Sequence, residues 1–330
     1  MTGTMRAAVL TEFGGPEVLQ LREVARPLPQ PGWVDVRLTC AALNWHDVLV
    51  RRGQYASPLP HVPGADGAGI RVDTGEEVMI LPSLHWGRRE NAPAADWQIL
   101  GDHQHGTYAE FVSVPEDCLV PKPPGLSWHE AAALPLVGVT VFRALFSRGR
   151  LQAGEHLLVL GAGGGVATMA VSLAAAIGAH VSVTSSSEEK IARAVSAGAD
   201  DGVLYSDPAW PEEARKLTPD ARGFDLVLDS VGTWAESLRA LRLGGRLVTL
   251  GASRSDVATI AVRPFYFAQH EIIGTSMGSP QDFAGLLSLL DRTAAAPPPV
   301  DRVFPLDAAS EAHAHLESGT AIGKVVLDIV

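Results

Sequence analysis

A chain of 330 residues is long enough for two independent hydrophobic cores. Apolar residues make up 46% and charged residues 19%, the profile of a globular chain rather than a disordered or fibrous one. With 26 Lys and Arg against 37 Asp and Glu, the net charge of −11 argues against nucleic acid or an anionic membrane surface as a partner. The start, Met1 to Arg6, has no apolar stretch of the signal-peptide kind, and residues 166–179 are broken by Thr168, Ser172 and Gly178. The expectation is a cytoplasmic protein. Cys40 and Cys118 permit neither a disulfide framework nor a Cys-rich structural zinc site, and their apolar neighbours suggest small core residues.

Residues 6–120 show strand periodicity. Arg6 to Leu10, Trp33 to Leu38 and Tyr108 to Val114 alternate apolar and polar side chains. Turn residues separate them at Gly14-Gly15-Pro16, between Pro27 and Gly32, and at Gly64-Ala65-Asp66-Gly67, and 72–81 is expected to form a hairpin. Residues 82–106 are polar, carry Trp86, Trp97 and His residues, and show no period, which suggests a functional loop or lid. Two donors on separate segments, Cys40 and His61, are too few for a metal, and His103-Gln104-His105 is expected to be a solvated stretch.

After Pro121-Lys122-Pro123-Pro124-Gly125, Ser127-Trp128-His129-Glu130 fits a capping box before an apolar helix. Strands are then expected at 157–160, 180–184, 202–205, 225–229, 246–250 and 272–275, with helices at 166–177, 187–197, 211–217 and 233–242. This alternation predicts a doubly wound parallel six-stranded sheet of the α/β Rossmann class. Helices are expected at 282–290 and 308–317, after which Lys324 to Val330 returns as a strand to the β-rich part.

The densest signal is His156-Leu157-Leu158-Val159-Leu160 running into Gly161-Ala162-Gly163-Gly164-Gly165 and then an Ala-rich helix from Val166. A buried strand, a glycine turn and a helix N-terminus together let backbone N–H groups approach a pyrophosphate. Val166, Ala170, Leu173 and Ile177 would face the sheet. At the end of the next strand, Ser185-Ser186-Ser187 stands where an NAD site would place an acid. Hydroxyls with Lys190 suit a ribose 2′-phosphate instead, which points to NADPH.

Several ordered motifs resemble the medium-chain dehydrogenase/reductase superfamily, in its quinone oxidoreductase-like branch, over the full chain. They are Leu43-Asn44-Trp45-His46-Asp47 with Arg52-Gly53-Gln54-Tyr55, the run Val62 to Gly69, and Gly75-Glu76-Glu77-Val78. Residues Ala131 to Thr140, Asp229-Ser230-Val231-Gly232 and Ile322-Gly323-Lys324 follow in order. The resemblance implies a GroES-like β-rich substrate domain formed by both chain ends, 1–122 and 268–330, around a Rossmann domain at 123–267. It implies cofactor contacts from Gly161, Gly163, Gly164, Gly165, Val166, Ser185, Ser186, Lys190, Tyr205, Val231, Gly251, Ser253, Met277 and Lys324. It further implies a homodimer formed through the sheet edge at 272–275.

Zinc-dependent members of that superfamily carry ligands where this chain has Asn44, Ala65 and Val137, so no metal is expected. Without one, reduction of an electrophilic quinone or α,β-unsaturated carbonyl is favoured over alcohol oxidation. Asn44 would hold the developing oxyanion, Tyr55 would line the site and donate a proton, and Thr140 would orient the nicotinamide. His46 occupies a proton-relay position, which leaves an NADP-dependent alcohol dehydrogenase open as a rival. A catalytically weak, crystallin-like NADPH-binding protein is another. Asn44, Tyr55 and His46 also have plain packing readings, and Asp47 is expected to be structural.

Overall fold

A computed structural model describes residues 3–28 and 30–329. Parts of three predicted features fall outside them: the N-terminal Met1 and Thr2, Pro29 in a turn, and Val330 at the end of the last strand. The chain forms two compact units. One comprises Met1–Leu136, Ser279–Phe283 and Pro298–Val330, the other Val137–Gly278 and Ala284–Pro297.

The first unit is built on a seven-stranded sheet. Its long strand Trp33–Ala42 pairs antiparallel with Asp66–Arg71, Phe111–Pro115 and the C-terminal Lys324–Asp328. The return of the chain's end to the β-rich unit is therefore as expected. A separate ribbon pairs Thr4–Leu10 with Leu19–Ala25. Leu10, Leu38, Ile80, Tyr108 and Val325 share one buried core with the side chains of this ribbon. The expected hairpin begins earlier than 72, since Asp66–Arg71 and Glu77–Ile80 are its arms.

Residues 82–106 are mostly irregular, with a small pair of strands at Ser83–Leu84 and Gln98–Ile99. They are anchored. Trp86 and Leu100 are buried, Trp97 donates to Ser83 Oγ at 2.8 Å, and the Trp86 and Trp97 rings meet edge-on at 6.0 Å. A Cβ at Gly101 or Gly106 would come within 2.5 or 2.1 Å of the Gly64 carbonyl oxygen, so only glycine permits these backbones to pack. His105 is not merely solvated, because its Nδ1 accepts the Val62 N–H at 3.2 Å.

The second unit holds six parallel strands in the spatial order Asp201–Leu204, His180–Ser185, His156–Val159, Phe224–Asp229, Leu241–Thr249, Glu271–Gly274. This is the doubly wound Rossmann order, with its switch point between His156–Val159 and Phe224–Asp229. The unit extends beyond residue 267, because Glu271–Gly274 pairs with Leu241–Thr249. It also begins later than 123, since helix Trp128–Ala133 packs on the first unit's strands. In helix Gly165–Ala176 the buried residues are Ala167, Met169, Ala170, Val171, Leu173 and Ala174. Val166 and Ile177 are only half-buried, so the buried face is wider than the expected stripe but excludes its two ends. Among the described residues no helix is long and apolar enough to cross a membrane.

Candidate functional site

In the Rossmann unit the predicted cofactor residues follow the carboxyl ends of the parallel strands, where ligands of such sheets bind. Gly161 leaves strand His156–Val159 at φ +97°, a conformation costly for any side chain, and donates its N–H to the buried Thr184 Oγ1 at 3.1 Å. A Cβ added at Gly161 or Gly164 would meet nothing within 4 Å, so the turn opens onto free space. Gly164 is the N-cap residue of helix Gly165–Ala176 and has no side chain to cap the N–H groups of its first turn. Uncapped N–H groups beside an open cradle fit a dinucleotide pyrophosphate.

Ser185 is buried and Ser186 exposed at the end of strand His180–Ser185. Ser185 Oγ accepts the Ser187 N–H, the Ser187 hydroxyl caps the next helix by accepting the Lys190 N–H, and the Tyr205 N–H donates to the Ser185 carbonyl. These contacts bring Ser185, Ser186, Lys190 and Tyr205 together. Two further turns meet nearby in sequence register: Arg254 N–H donates to the Val231 carbonyl, and Ser253 Oγ to the Ser230 carbonyl. Buried Asp229 organises the first of them, accepting from the backbone of Val231, Gly232 and Thr233 and from Ser237 Oγ. The Val231 N–H is spent on Asp229, and its carbonyl, with one bond from Arg254, keeps a second lone pair for a ligand. Gly251 and Ser253 are exposed. Thr140 Oγ1 points at Met277 Sδ, 3.8 Å away, and Met277 sits at φ +49°, an unusual backbone for a non-glycine residue.

The first unit carries a buried polar cluster. Helix Trp45–Arg51 starts at Asn44, whose N–H donates to Asp47 Oδ2 at 2.8 Å, and Tyr108 OH donates to the same oxygen at 3.0 Å. Asp47 is thus structural, as expected, and burial pushes its carboxyl up to about 7. Asn44 Oδ1 accepts from Lys324 Nζ at 2.5 Å, and Asn44 Nδ2 donates to Asp66 Oδ2 at 2.9 Å. Lys324 Nζ reaches Asp66 Oδ2 at 2.9 Å, and the Leu136 N–H donates to Asp66 Oδ1 at 2.7 Å. Burial pushes the Asp66 carboxyl up against the pull of Lys324. All these neighbours donate, so the ionised form is the one the geometry holds.

Lys324, expected at the cofactor, therefore has its ammonium engaged by Asn44 and Asp66. The same arrangement is a poor zinc site. Asn44 and Asp66 offer only oxygen, both face an ammonium, Ala65 offers no donor, and a zinc ion requires three or four converging ligands. Asn44 keeps one Nδ2 hydrogen beyond the bond to Asp66, enough for one acceptor oxygen.

His46 and Tyr55 pack edge-on, ring centroids 4.5 Å apart. Burial lowers His46 to about 4, and its buried Nε2 has no partner among the described residues. Burial, with nearby Asp102 second, raises the Tyr55 phenol above its ordinary value. Tyr55 is thus a weaker acid than expected from an unperturbed phenol, better suited to donating a hydrogen bond than to releasing its proton.

Sequence reasoning gave no role to Asp66, Tyr108 or Asp229, although Asp66 and Asp229 lie within two of the motifs above. A lone acid among small residues, as in Gly64-Ala65-Asp66-Gly67, was the available signal for Asp66.

Two family descriptions match the chain, "Alcohol dehydrogenase GroES-like domain" over residues 30–124 and "Zinc-binding dehydrogenase" over 165–292. Mouse quinone oxidoreductase is 31% identical, covering 98% of this chain and 97% of the relative. The chain belongs to the medium-chain dehydrogenase/reductase superfamily, in its quinone oxidoreductase-like branch. The chloroplastic NADPH-dependent alkenal/one oxidoreductase of Arabidopsis thaliana is 32% identical, over 98% of this chain and 79% of the relative. Among solved structures, an NAD-dependent alcohol dehydrogenase superposes with TM-score 0.92 at 40% identity, covering 99% of this chain and 100% of that one. The fold and an oxidoreductase activity with a nicotinamide cofactor follow from membership.

Proposed function

We propose that this medium-chain oxidoreductase uses NADPH to reduce quinones or α,β-unsaturated carbonyls without a catalytic metal. The observation that carries the reading is the Lys324 ammonium on Asn44 Oδ1 and Asp66 Oδ2, in the segment where zinc-dependent relatives place ligands. With no Lewis acid to lower an alcohol's pKa, an already electrophilic acceptor is the better substrate. NADPH, when bound, supplies the hydride. Asn44 Nδ2 donates its remaining hydrogen to the acceptor oxygen as charge develops there, and the Tyr55 hydroxyl adds a second neutral donor. Burial keeps the Tyr55 phenol protonated for that role and leaves His46 neutral above about pH 4.

The preference for NADPH is supported by Ser185, Ser186 and Lys190 at the strand end and by the placement of nearby acids. Glu189 is exposed and paired with Arg193 at 2.6 Å, facing its own helix rather than a ribose. A homodimer in this reading is supported by the edge strand Glu271–Gly274 and by the preceding helix Val262–Phe267, which exposes Val262, Tyr266 and Phe267.

The test is steady-state kinetics with NADPH and NADH against a panel of quinones, enones and secondary alcohols. Faster NADPH-dependent turnover of quinones or enones is expected. NADP-dependent alcohol oxidation that disappears in His46→Ala would replace the reading with an alcohol dehydrogenase. Tight NADPH binding with no turnover would replace it with a binding protein.

A further inference from the structure

Away from the polar cluster, three side chains of metal-binding chemistry converge from elements far apart in the chain. Cys40 lies on strand Trp33–Ala42 and Asp328 on strand Lys324–Asp328, where they are directly opposed partners in the antiparallel ladder. His129 lies on helix Trp128–Ala133, which packs on both strands. Its helix start is fixed by a capping box, Ser127 Oγ accepting the Glu130 N–H and the Glu130 carboxylate accepting the Ser127 N–H. Cys40 Sγ stands 3.4 Å from Asp328 Oδ1, and His129 Nε2 stands 2.7 Å from the same oxygen. The ligand atoms of all three lie within 4.8 Å of one another.

We propose that Cys40, His129 and Asp328 bind a divalent transition metal of the zinc type, with water completing the coordination. Tetrahedral zinc, with bonds of roughly 2.0–2.3 Å to oxygen, nitrogen and sulfur, sets its ligands roughly 3.3–3.8 Å apart. The Cys40–Asp328 separation already meets that edge. His129 has to withdraw by roughly half an ångström, for which its half-exposed side chain has room. A thiolate, an imidazole and one carboxylate form a borderline-soft set that selects zinc or cobalt over magnesium or calcium. On binding, the Cys40 thiol proton passes to solvent as the metal–sulfur bond forms, and the neutral His129 ring binds through Nε2. The ion would fasten the last strand to the strand and helix beside it. Its role is structural, and it does not depend on what the enzyme reduces.

The test is titration of metal-free full-length protein with cobalt(II), followed by zinc(II) competition and thermal melting. We expect a single cobalt per chain with a near-ultraviolet thiolate charge-transfer band, displaced by zinc, and a Tm higher by a few degrees with zinc. Cys40→Ser should abolish the band although Cys118 remains. His129→Ala, a change at a half-exposed position, should weaken binding at least tenfold and serves if Cys40→Ser fails to fold. Absence of the band, its persistence in Cys40→Ser, or unchanged affinity in His129→Ala overturns the assignment.

Discussion

Lys324 Nζ lies 2.9 Å from Asp66 Oδ2, and the two side chains are 3% and 0% exposed. Each is a charge that the other makes tolerable, and Asn44 bridges both. Removing one partner from a buried pair leaves the other charge uncompensated. Lys324→Met should therefore cost about 3–5 kcal/mol, and the double change Lys324→Met with Asp66→Leu should recover much of it. Urea unfolding of the three proteins checks this. A single-variant loss below about 1 kcal/mol would show that the pair is not what holds Asp66 in the core.

Cofactor choice rests on the end of strand His180–Ser185. A charge-assisted bond from Lys190 to a 2′-phosphate is worth about 1.5–3 kcal/mol, so Lys190→Ala should lower kcat/KM for NADPH about 10- to 100-fold. The value for NADH should stay within about twofold, because its ribose has no phosphate to lose. Equal losses with both cofactors would remove Lys190 from phosphate recognition.

Tyr55 and His46 are both neutral groups in the working pH range, and they should differ in what they contribute. Tyr55→Phe deletes one donor and should lower kcat roughly tenfold with little change in KM. His46, lowered to about 4 by burial, has no charge to lose near its ordinary value of 6.5. The pH profiles of wild type and His46→Ala should therefore run parallel between about pH 5 and pH 8. A wild-type limb near 6.5 that vanishes in His46→Ala would make His46 an acid–base group after all.

His313 is fully buried, both ring nitrogens lack partners among the described residues, and burial lowers it to about 3. Below pH 6.5 the unfolded chain takes up a proton there that the folded chain refuses. The native state thus loses stability as pH falls from 6.5 toward 3, by up to about 1.4 kcal/mol per pH unit from this residue. His313→Leu removes that dependence. Its Tm relative to wild type should rise steadily as the buffer is taken from pH 7 to pH 5, and a constant difference would contradict the burial argument.

Much of the Rossmann unit was legible because its signals are local. Continuous apolar runs such as Leu157-Leu158-Val159, followed by Gly161 to Gly165, mark a buried strand and its turn without reference to anything distant. Strand Leu19–Ala25 escaped because most of its side chains are exposed in its ribbon with Thr4–Leu10, which leaves a polar sequence with little period. Residues 143–148, which continue helix Pro135–Phe142 as a wide helical turn, have no sequence mark at all. For the site, Asn44, His46 and Tyr55 were within reach because they lie on one short segment. The partners that decide their chemistry were not, since Lys324 meets Asp66 across 258 positions and Asp328 meets Cys40 across 288. The ladder between the first unit's long strand and the chain's last strand joins Asp328 to Cys40, and the long strand's second ladder, with Asp66–Arg71, sets Asp66 opposite Ala42 on the way to Lys324.

The central claim is metal-free reduction, and the most direct test is NADPH oxidation with the best quinone or enone, measured before and after exhaustive metal removal in wild type and Cys40→Ser. The account predicts equal rates in all four samples at moderate temperature. Activity lost with the metal and restored by zinc, in Cys40→Ser as in wild type, would place a catalytic metal in this enzyme and contradict it.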